Sequence, residues 1–359
     1  MKTRVLLIDD SVVVRKIVGD AVSSHPDLEV VGKAANGKLG LEMIPQVNPD
    51  VIVLDVEMPE MDGITTLREI RKIYKNPKVI MFSTLTQRGA DITLEALSIG
   101  AVDYFAKPTN LSNVEEVTKY LKDGLVQKIK FLGPTGKNEL LTAFHHPPQT
   151  SNALKSAPVV SSTTAQKVEI VAIGTSTGGP NALGSIFPNI PEKFPVPIVI
   201  VQHMPPVFTK HLADRLNSKS KVRVYEGTEG AILKPGEAWI APGDFHMTVK
   251  KEGLNYVLHL NQQPPENSCR PAVDVLFRSV AEAYGQSALG IVLTGMGQDG
   301  FRGCENLTHV GSRAIVQDEA SSVVWGMPGF VAKAGLAEKV LPLDQIIPEV
   351  VRRVSYGRL

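Results

Sequence analysis

The chain reads as an α/β protein made of two parallel-sheet units joined by a linker, and three observations predict this. Short runs rich in Val, Ile and Leu alternate with helix-period segments through both halves, the pattern of parallel sheets wrapped by helices. Polar residues able to do chemistry stand at the ends of those runs, where a parallel sheet places its sites. Between the halves, from Gly133 to Lys167, periodicity lapses and Pro, Ser, Thr, Asn and Gln accumulate, as in a flexible linker. A length of 359 residues suits two domains, with boundaries at 1–132, 133–167 and 168–359.

The first half predicts strands at Val5 to Ile8, Val30 to Ala34, Val51 to Leu54, Val79 to Phe82 and Tyr104 to Ala106. Helices alternate with them at Val13 to Val22, Leu39 to Val47, Ile64 to Ile73, Ile92 to Ile99 and Val114 to Phe131. Ser112-Asn113-Val114-Glu115 fits a capping box opening the last helix. Such a (βα)5 series makes a doubly wound sheet. Strand one ends in Asp9 and Asp10, strand three in Asp55, strand four in Ser83 and Thr84, and strand five in Lys107. Each residue alone reads as a cap or a solvated charge. Three carboxylates brought together raise one another's pKa unless a cation joins them, and a hard divalent ion such as Mg²⁺ suits oxygen donors. A lysine and a hydroxyl opposite them suit a phosphoryl group.

Leu7-Ile8-Asp9-Asp10-Ser11, the run from Val53 to Gly63, and Ala106-Lys107-Pro108 together resemble the response-regulator receiver domain. The resemblance implies that Asp55 accepts a phosphoryl group from a histidine kinase. It implies that Asp10, with Asp9, Asp55 and the Glu57 backbone carbonyl, binds Mg²⁺. It casts Ser83 as the switch hydroxyl, with Thr84 as its neighbour and rival, and Lys107 as the phosphate-pairing lysine. Tyr104 stands where receivers carry a switch aromatic, and reads equally as sheet-packing core.

Composition narrows the function. A formal net charge of +1 gives no general attraction to nucleic acid or anionic membrane. Two cysteines, Cys269 and Cys304, argue against a disulfide framework or a thiolate zinc site. Asp9 and Asp10 directly after Val5-Leu6-Leu7-Ile8 do not fit a secretory signal, and no apolar run spans a bilayer. A cytoplasmic location without membrane insertion is expected. In the linker, Asn138 to Phe144 has the pattern of one helical turn, and the His145-His146 pair lacks partners for a metal site.

In the second half, strands are predicted at Val168 to Ile173, Val196 to Val201, Val222 to Tyr225, Ala238 to Ala241, Met247 to Lys250, Tyr256 to Leu260, Leu289 to Thr294 and Ala314 to Gln317. Helices fit Ala182 to Phe187, Phe208 to Leu216, Ala272 to Ala283, Phe301 to Val310 and Ile346 to Val354. Glu252-Gly253 reads as a hairpin turn, so the second parallel α/β sheet carries an antiparallel insertion.

Ser176 lies on the strand-to-helix turn Gly174-Thr175-Ser176-Thr177-Gly178, a place for either an acyl-transfer nucleophile or a helix cap. His203 ends the next strand and Asp299 sits in the turn Gly295 to Gly300. On one sheet edge these three fit a relay in which His takes the serine proton and Asp fixes the ring tautomer. Among the rivals, His211 reads as surface, His246 as a pocket-lining turn residue and His259 as solvent-facing, with His309 at a helix end. Asp244, Asp274 and Asp318 compete with Asp299. The order Ser, His, Asp disfavours the α/β-hydrolase fold. Gly295-Met296-Gly297-Gln298-Asp299-Gly300 also has the form of a dinucleotide fingerprint, with Asp318 placed like a ribose-binding acid. That keeps open an alternative, a receiver-linked signalling adaptor that binds a nucleotide or partner without catalysis.

Ile173 to Pro180, Gln202-His203-Met204-Pro205, Ala241 to Asp244, Arg270 to Phe277, Thr294 to Gly300 and Trp325-Gly326-Met327-Pro328 resemble the catalytic domain of the chemotaxis protein-glutamate methylesterase family. Departures are Gln298, where many relatives carry asparagine, and the long linker. The resemblance maps a triad onto Ser176, His203 and Asp299, and backbone N–H groups near Thr177 and Met296 are candidates to steady the oxyanion. It implies a phosphorylation-regulated serine hydrolase that removes methyl groups from glutamate esters on chemoreceptors, releases methanol, and deamidates receptor glutamines. No cofactor is expected for the esterase.

Overall fold

A computed structural model describes residues 2–108, 113–134 and 167–356. The linker features, Asn138 to Phe144 and the His145-His146 pair, lie outside the described residues, as does Ser112.

The first sheet runs β2-β1-β3-β4-β5, all parallel, from β1 (Thr3–Ile8), β2 (Leu28–Ala34), β3 (Val51–Asp55), β4 (Lys78–Ser83) and β5 (Asp103–Ala106). Helices α1 (Val12–Ser23), α2 (Gly37–Val47), α3 (Gly63–Ile73) and α4 (Gln87–Ile99) cross between strands. Helix α5 (Val114–Leu121) continues through a π-helical turn, Lys122–Val126, into α6 (Gln127–Leu132). Asn113 accepts from the Glu116 N–H and caps α5. Every residue of β3 is buried, as expected when helices cover both faces of a parallel sheet.

The second sheet has seven parallel strands in the order β14-β13-β12-β6-β7-β9-β8. They are β6 (Ile170–Thr175), β7 (Ile198–Gln202), β8 (Arg223–Glu226), β9 (Glu237–Ile240), β12 (Ala288–Val292), β13 (Arg313–Gln317) and β14 (Lys339–Leu341). The antiparallel pair β10 (His246–Glu252) and β11 (Asn255–Asn261) forms the expected hairpin. Helices α7 (Gly179–Ile186), α8 (Phe208–Lys219), α9 (Val273–Tyr284), α10 (Phe301–His309), α11 (Met327–Lys333) and α12 (Leu343–Ser355) complete the unit. Strand β14 and helix α11 were not predicted from sequence.

Chain order positions the site. From β6 the chain winds outward through β7, then returns to the other side of β6 at β12. Winding therefore reverses at β6, which makes the crevice at the carboxyl ends of β6 and its neighbours the place for a site.

The two units touch. Tyr104 of β5 stacks on Phe208 of α8 with ring centroids 5.0 Å apart. Asn181 Nδ2 donates to the Ala101 carbonyl at 3.2 Å, and His211 forms an ion pair with Asp91 of α4. His211 therefore lies at the domain contact and is half-buried, a correction to its surface assignment. The sequence pattern held no hint of a partner 120 residues upstream.

Candidate functional site

Ser176 follows β6 and His203 follows β7, strands whose last residues, Thr175 and Gln202, are paired in register. Asp299 lies on the loop after β12, the neighbour of β6 on the other side. The parallel sheet thus delivers all three to one rim. Backbone bonds fix the turns: the Ser176 N–H donates to the Thr294 carbonyl at 3.0 Å and the His203 N–H to the Thr175 carbonyl at 3.1 Å. Gly295 lets the β12 loop pass the serine, since a Cβ there would lie 2.9 Å from Ser176 Cβ and 2.3 Å from Met327 Sδ.

His203 Nε2 meets Asp299 Oδ2 at 2.7 Å. With Nε2 directed at a carboxylate, that nitrogen carries a proton in either charge state, and Nδ1 is the acceptor when the ring is neutral. Cys269 Sγ lies 3.5 Å from Nδ1. Among the described residues no hydrogen bond joins Ser176 Oγ to the ring. The imidazole is 12% exposed and the Asp299 side chain 2%. Asp299 Oδ2 also accepts the Val273 N–H at 2.6 Å, and Oδ1 accepts the Asp274 and Gly300 N–H groups at 3.0 Å each and Asn267 Nδ2 at 2.8 Å. The acid therefore sits on the N-terminus of α9, where a negative charge is favoured.

These contacts set the protonation preferences. Burial alone pushes the His203 imidazole down, but Cys269 and Asp299 beside it prevail and raise it from 6.5 to about 10. For Asp299, burial pushes upward and the His203 bond and helix N–H groups more than offset it, so its pKa falls. Asp274 is raised to about 7 by burial and by the neighbouring Asp299 charge, against the Gly303 N–H and Asn267 bonds.

The Thr177 and Met296 N–H groups make no hydrogen bond among the described residues. The Thr177 carbonyl is anchored by Thr294 Oγ1 at 2.9 Å. Thr177 Oγ1 donates across the domain contact to Asp103 Oδ2 at 2.8 Å, and Lys128 pairs with the same carboxylate.

The rival residues have other partners. His246 is buried, with Nε2 3.2 Å from the Pro264 carbonyl and Nδ1 accepting the Ala272 N–H. It braces a loop and does not line an open pocket. His259 stands between Glu229 and Glu252 at 2.8 Å each, and Asp244 pairs with Arg270. Asp318 accepts the Ser321 N–H at 3.0 Å. The nucleotide-binding alternative is not favoured, because the Asp299 carboxylate occupies the glycine turn and is held there by the N–H groups of Val273, Asp274 and Gly300. Sequence reasoning missed Cys269 and Asn267 as neighbours of the dyad; both lie on a loop that only folding brings to the rim.

At the first sheet's carboxyl edge, Asp9, Asp10 and Asp55 place oxygens within 4.8 Å of one another. Lys107 Nζ lies 2.9 Å from Asp9 Oδ2 and 2.7 Å from Asp55 Oδ2. Both oxygens are buried, and the Lys107 ammonium is the partner they share. Burial, chiefly, and the nearby Asp9 raise Asp55 to about 6, against the pull of Lys107. Three carboxylates clustered in this way, with one lysine among them, offer the oxygen donors a hard cation takes. Ser83 is buried with Oγ 3.3 Å from the Gly89 carbonyl, while Thr84 is exposed. The Glu57 N–H donates to Asp55 Oδ1 at 3.4 Å.

Comparison with known proteins places both halves. The model of the CheB methylesterase family matches residues 171–350, and that of the response regulator receiver domain matches residues 5–119. A protein-glutamate methylesterase/protein-glutamine glutaminase of Trichodesmium erythraeum (strain IMS101) is 51% identical over 354 residues, covering 99% of each chain. One of Pyrococcus abyssi (strain GE5 / Orsay) is 42% identical over 357 residues, covering 99% of this chain and 95% of its own. The crystal structure of the Thermotoga maritima CheB methylesterase catalytic domain matches with a TM-score of 0.51 at 44% identity, covering 52% of this chain and 98% of that one.

Proposed function

The chain belongs to the CheB methylesterase family and couples that domain to a response-regulator receiver, and from this premise we propose that Ser176, His203 and Asp299 perform its hydrolysis. The enzyme is a phosphorylation-regulated protein-glutamate methylesterase with protein-glutamine glutaminase activity. The observation that carries the residue assignment is the buried His203–Asp299 pair at 2.7 Å on the rim that also bears Ser176.

In the proposed cycle Ser176 Oγ attacks the glutamyl ester carbonyl while His203 Nδ1 takes its proton. Nδ1 is the ring nitrogen that does not face Asp299 and so is the one left to take the serine proton. Asp299 holds Nε2–H and stabilises the imidazolium. The Thr177 and Met296 N–H groups receive the oxyanion, where losing one donor costs about 2.7–4 kcal/mol. The imidazolium then protonates departing methoxide, and water activated by His203 clears the glutamyl-enzyme. Receptor glutamine enters the same intermediate with ammonia as the leaving group. Ser176→Ala should lower methanol release from methylated receptor by at least about 10³-fold; near-normal turnover would remove Ser176 from the role.

Regulation follows from the receiver. Asp55 accepts the phosphoryl group from a chemotaxis histidine kinase, with Asp9, Asp10 and the Glu57 carbonyl holding Mg²⁺. The ion, when bound, neutralises charge on the transferring phosphoryl. Lys107 and Ser83 pair with the phosphoryl oxygens, Ser83 after turning from the Gly89 carbonyl. Four-residue β5 connects this site to the esterase: Lys107 follows its far end, and Asp103 at its near end accepts from Thr177 Oγ1, beside the nucleophile. In this reading the unphosphorylated receiver covers the catalytic rim, and a pull on Lys107 loosens the Asp103 and Tyr104 contacts. Among the described residues no helix is long and apolar enough to cross a membrane. With receptor helices as the proposed substrate and a histidine kinase as the proposed phosphodonor, the enzyme's proposed place of work is the cytoplasm.

A further inference from the structure

Gln202 takes no part in the cycle above, yet its carboxamide joins the two residues that exchange the proton. It is the last residue of β7 and only 1% exposed. Its Nε2 donates to the Ser176 carbonyl at 3.0 Å and to the His203 carbonyl at 3.1 Å. Both carbonyls lie just beyond the ends of paired strands; the Ser176 carbonyl also accepts the Gly179 N–H at 2.8 Å, whereas Gln202 is the donor that links it to the His203 carbonyl. A primary amide is suited to this place because it offers two N–H donors in one plane without charge.

The surroundings are shaped for that group. A Cβ on Gly179 would lie 2.0 Å from Gln202 Oε1 and 2.4 Å from Thr175 Oγ1, so the glycine at the start of α7 leaves the space the amide occupies. The other end of the amide is unserved: Oε1 is buried without a hydrogen-bond partner. A buried acceptor left unpaired works against stability, so this side chain is poorly explained as a mere filler of the core.

We propose that Gln202 is a positioning residue, whose two N–H groups lock the backbone of the nucleophile turn to that of the base turn and so set the Ser176–His203 spacing. The proposal rests on the assignment of Ser176 and His203 as nucleophile and base. Misplacement of reacting groups by about 1 Å can lower a rate about 100-fold, which is the scale a lost bridge should produce.

The test uses the full chain activated by a small-molecule phosphodonor. Gln202→Met removes both donors at similar volume. Gln202→Asn keeps them but withdraws them by one carbon–carbon bond, about 1.5 Å. Both should lower kcat for receptor demethylation by about 10- to 100-fold with KM within about twofold. Labelling of Ser176 by a fluorophosphonate should slow in parallel. In that step the Oγ–P bond forms, P–F breaks, fluoride leaves and His203 takes the serine proton. Ser312→Ala is the control: Ser312 is buried at the opposite edge of the sheet, where its hydroxyl donates to the Gly285 carbonyl at 2.6 Å, and its loss should lower Tm without changing kcat. Wild-type kcat and labelling in either Gln202 variant would overturn the proposal, as would an equal loss in the Ser312 variant. Ser176→Ala separates the two failures, since labelling or turnover in that variant would refute the nucleophile assignment whatever Gln202 does.

Discussion

His203 sits between two groups that favour its charged form, Cys269 at Nδ1 and Asp299 at Nε2, although burial opposes that charge. A general base acts only when neutral. With the imidazole raised to about 10, kcat/KM of the phosphorylated enzyme should climb with pH on the alkaline side of neutrality. Cys269→Ala removes one neighbour that raises the imidazole, so the neutral ring becomes available at lower pH. The rising limb should move to lower pH, with a gain in rate at neutral pH. A pH–rate profile checks this, and an unmoved limb would show that the thiol does not tune the base. In the receiver, Asp9, Asp10 and Asp55 cluster oxygen donors of the kind a hard cation takes. Mg²⁺ at about 100 times its Kd should therefore stabilise that domain by about 2.7 kcal/mol, seen as a rise in Tm. Asp9→Asn should diminish the rise, and a Tm indifferent to Mg²⁺ would contradict the metal assignment.

At the scale of elements, β5 is the informative one. Asp103 to Lys107 spans about 13 Å at strand rise, with the esterase contact at one end and the phosphoacceptor site at the other. Asp103→Ala removes the carboxylate that accepts from Thr177 and pairs with Lys128. A hydrogen bond to a charged group contributes about 1.5–3 kcal/mol, so esterase activity of the unphosphorylated chain should rise by about tenfold or more. Unchanged activity would separate this contact from regulation. Elements like β5 also show what was legible in sequence. Strands buried on both faces announce themselves as apolar runs, and their ends named Ser176, His203, Asp299, Asp55 and Lys107 because a parallel sheet concentrates chemistry there. Strand β14, only Lys339–Leu341, and helix α11, with Pro328 and Gly329 in its first turn, are too short or too irregular to show periodicity. Gln202, Asn267, Cys269, Asp103 and His211 owe their roles to partners distant in sequence, and no local pattern encodes such pairs.

On the scale of the whole molecule, catalysis is, in the proposed reading, conditional on a receiver packed against the turn that bears Ser176. Thr177, whose N–H is a candidate oxyanion donor, binds the receiver through its hydroxyl, and Tyr104 and His211 add an aromatic stack and an ion pair across the same contact. Several such contacts together can hold a two-state equilibrium toward the covered form, and phosphorylation need only offset a few kcal/mol to release it. A chain beginning near Val168 should accordingly match the phosphorylated full chain and exceed the unphosphorylated one. Methanol release from methylated receptor, measured on the full chain with and without phosphodonor beside Ser176→Ala, tests both halves together. The expected result is a rate that rises about tenfold or more on phosphorylation and is lost in the serine variant under either condition. Equal release by the wild type and Ser176→Ala, or a rate indifferent to the phosphodonor, would contradict it.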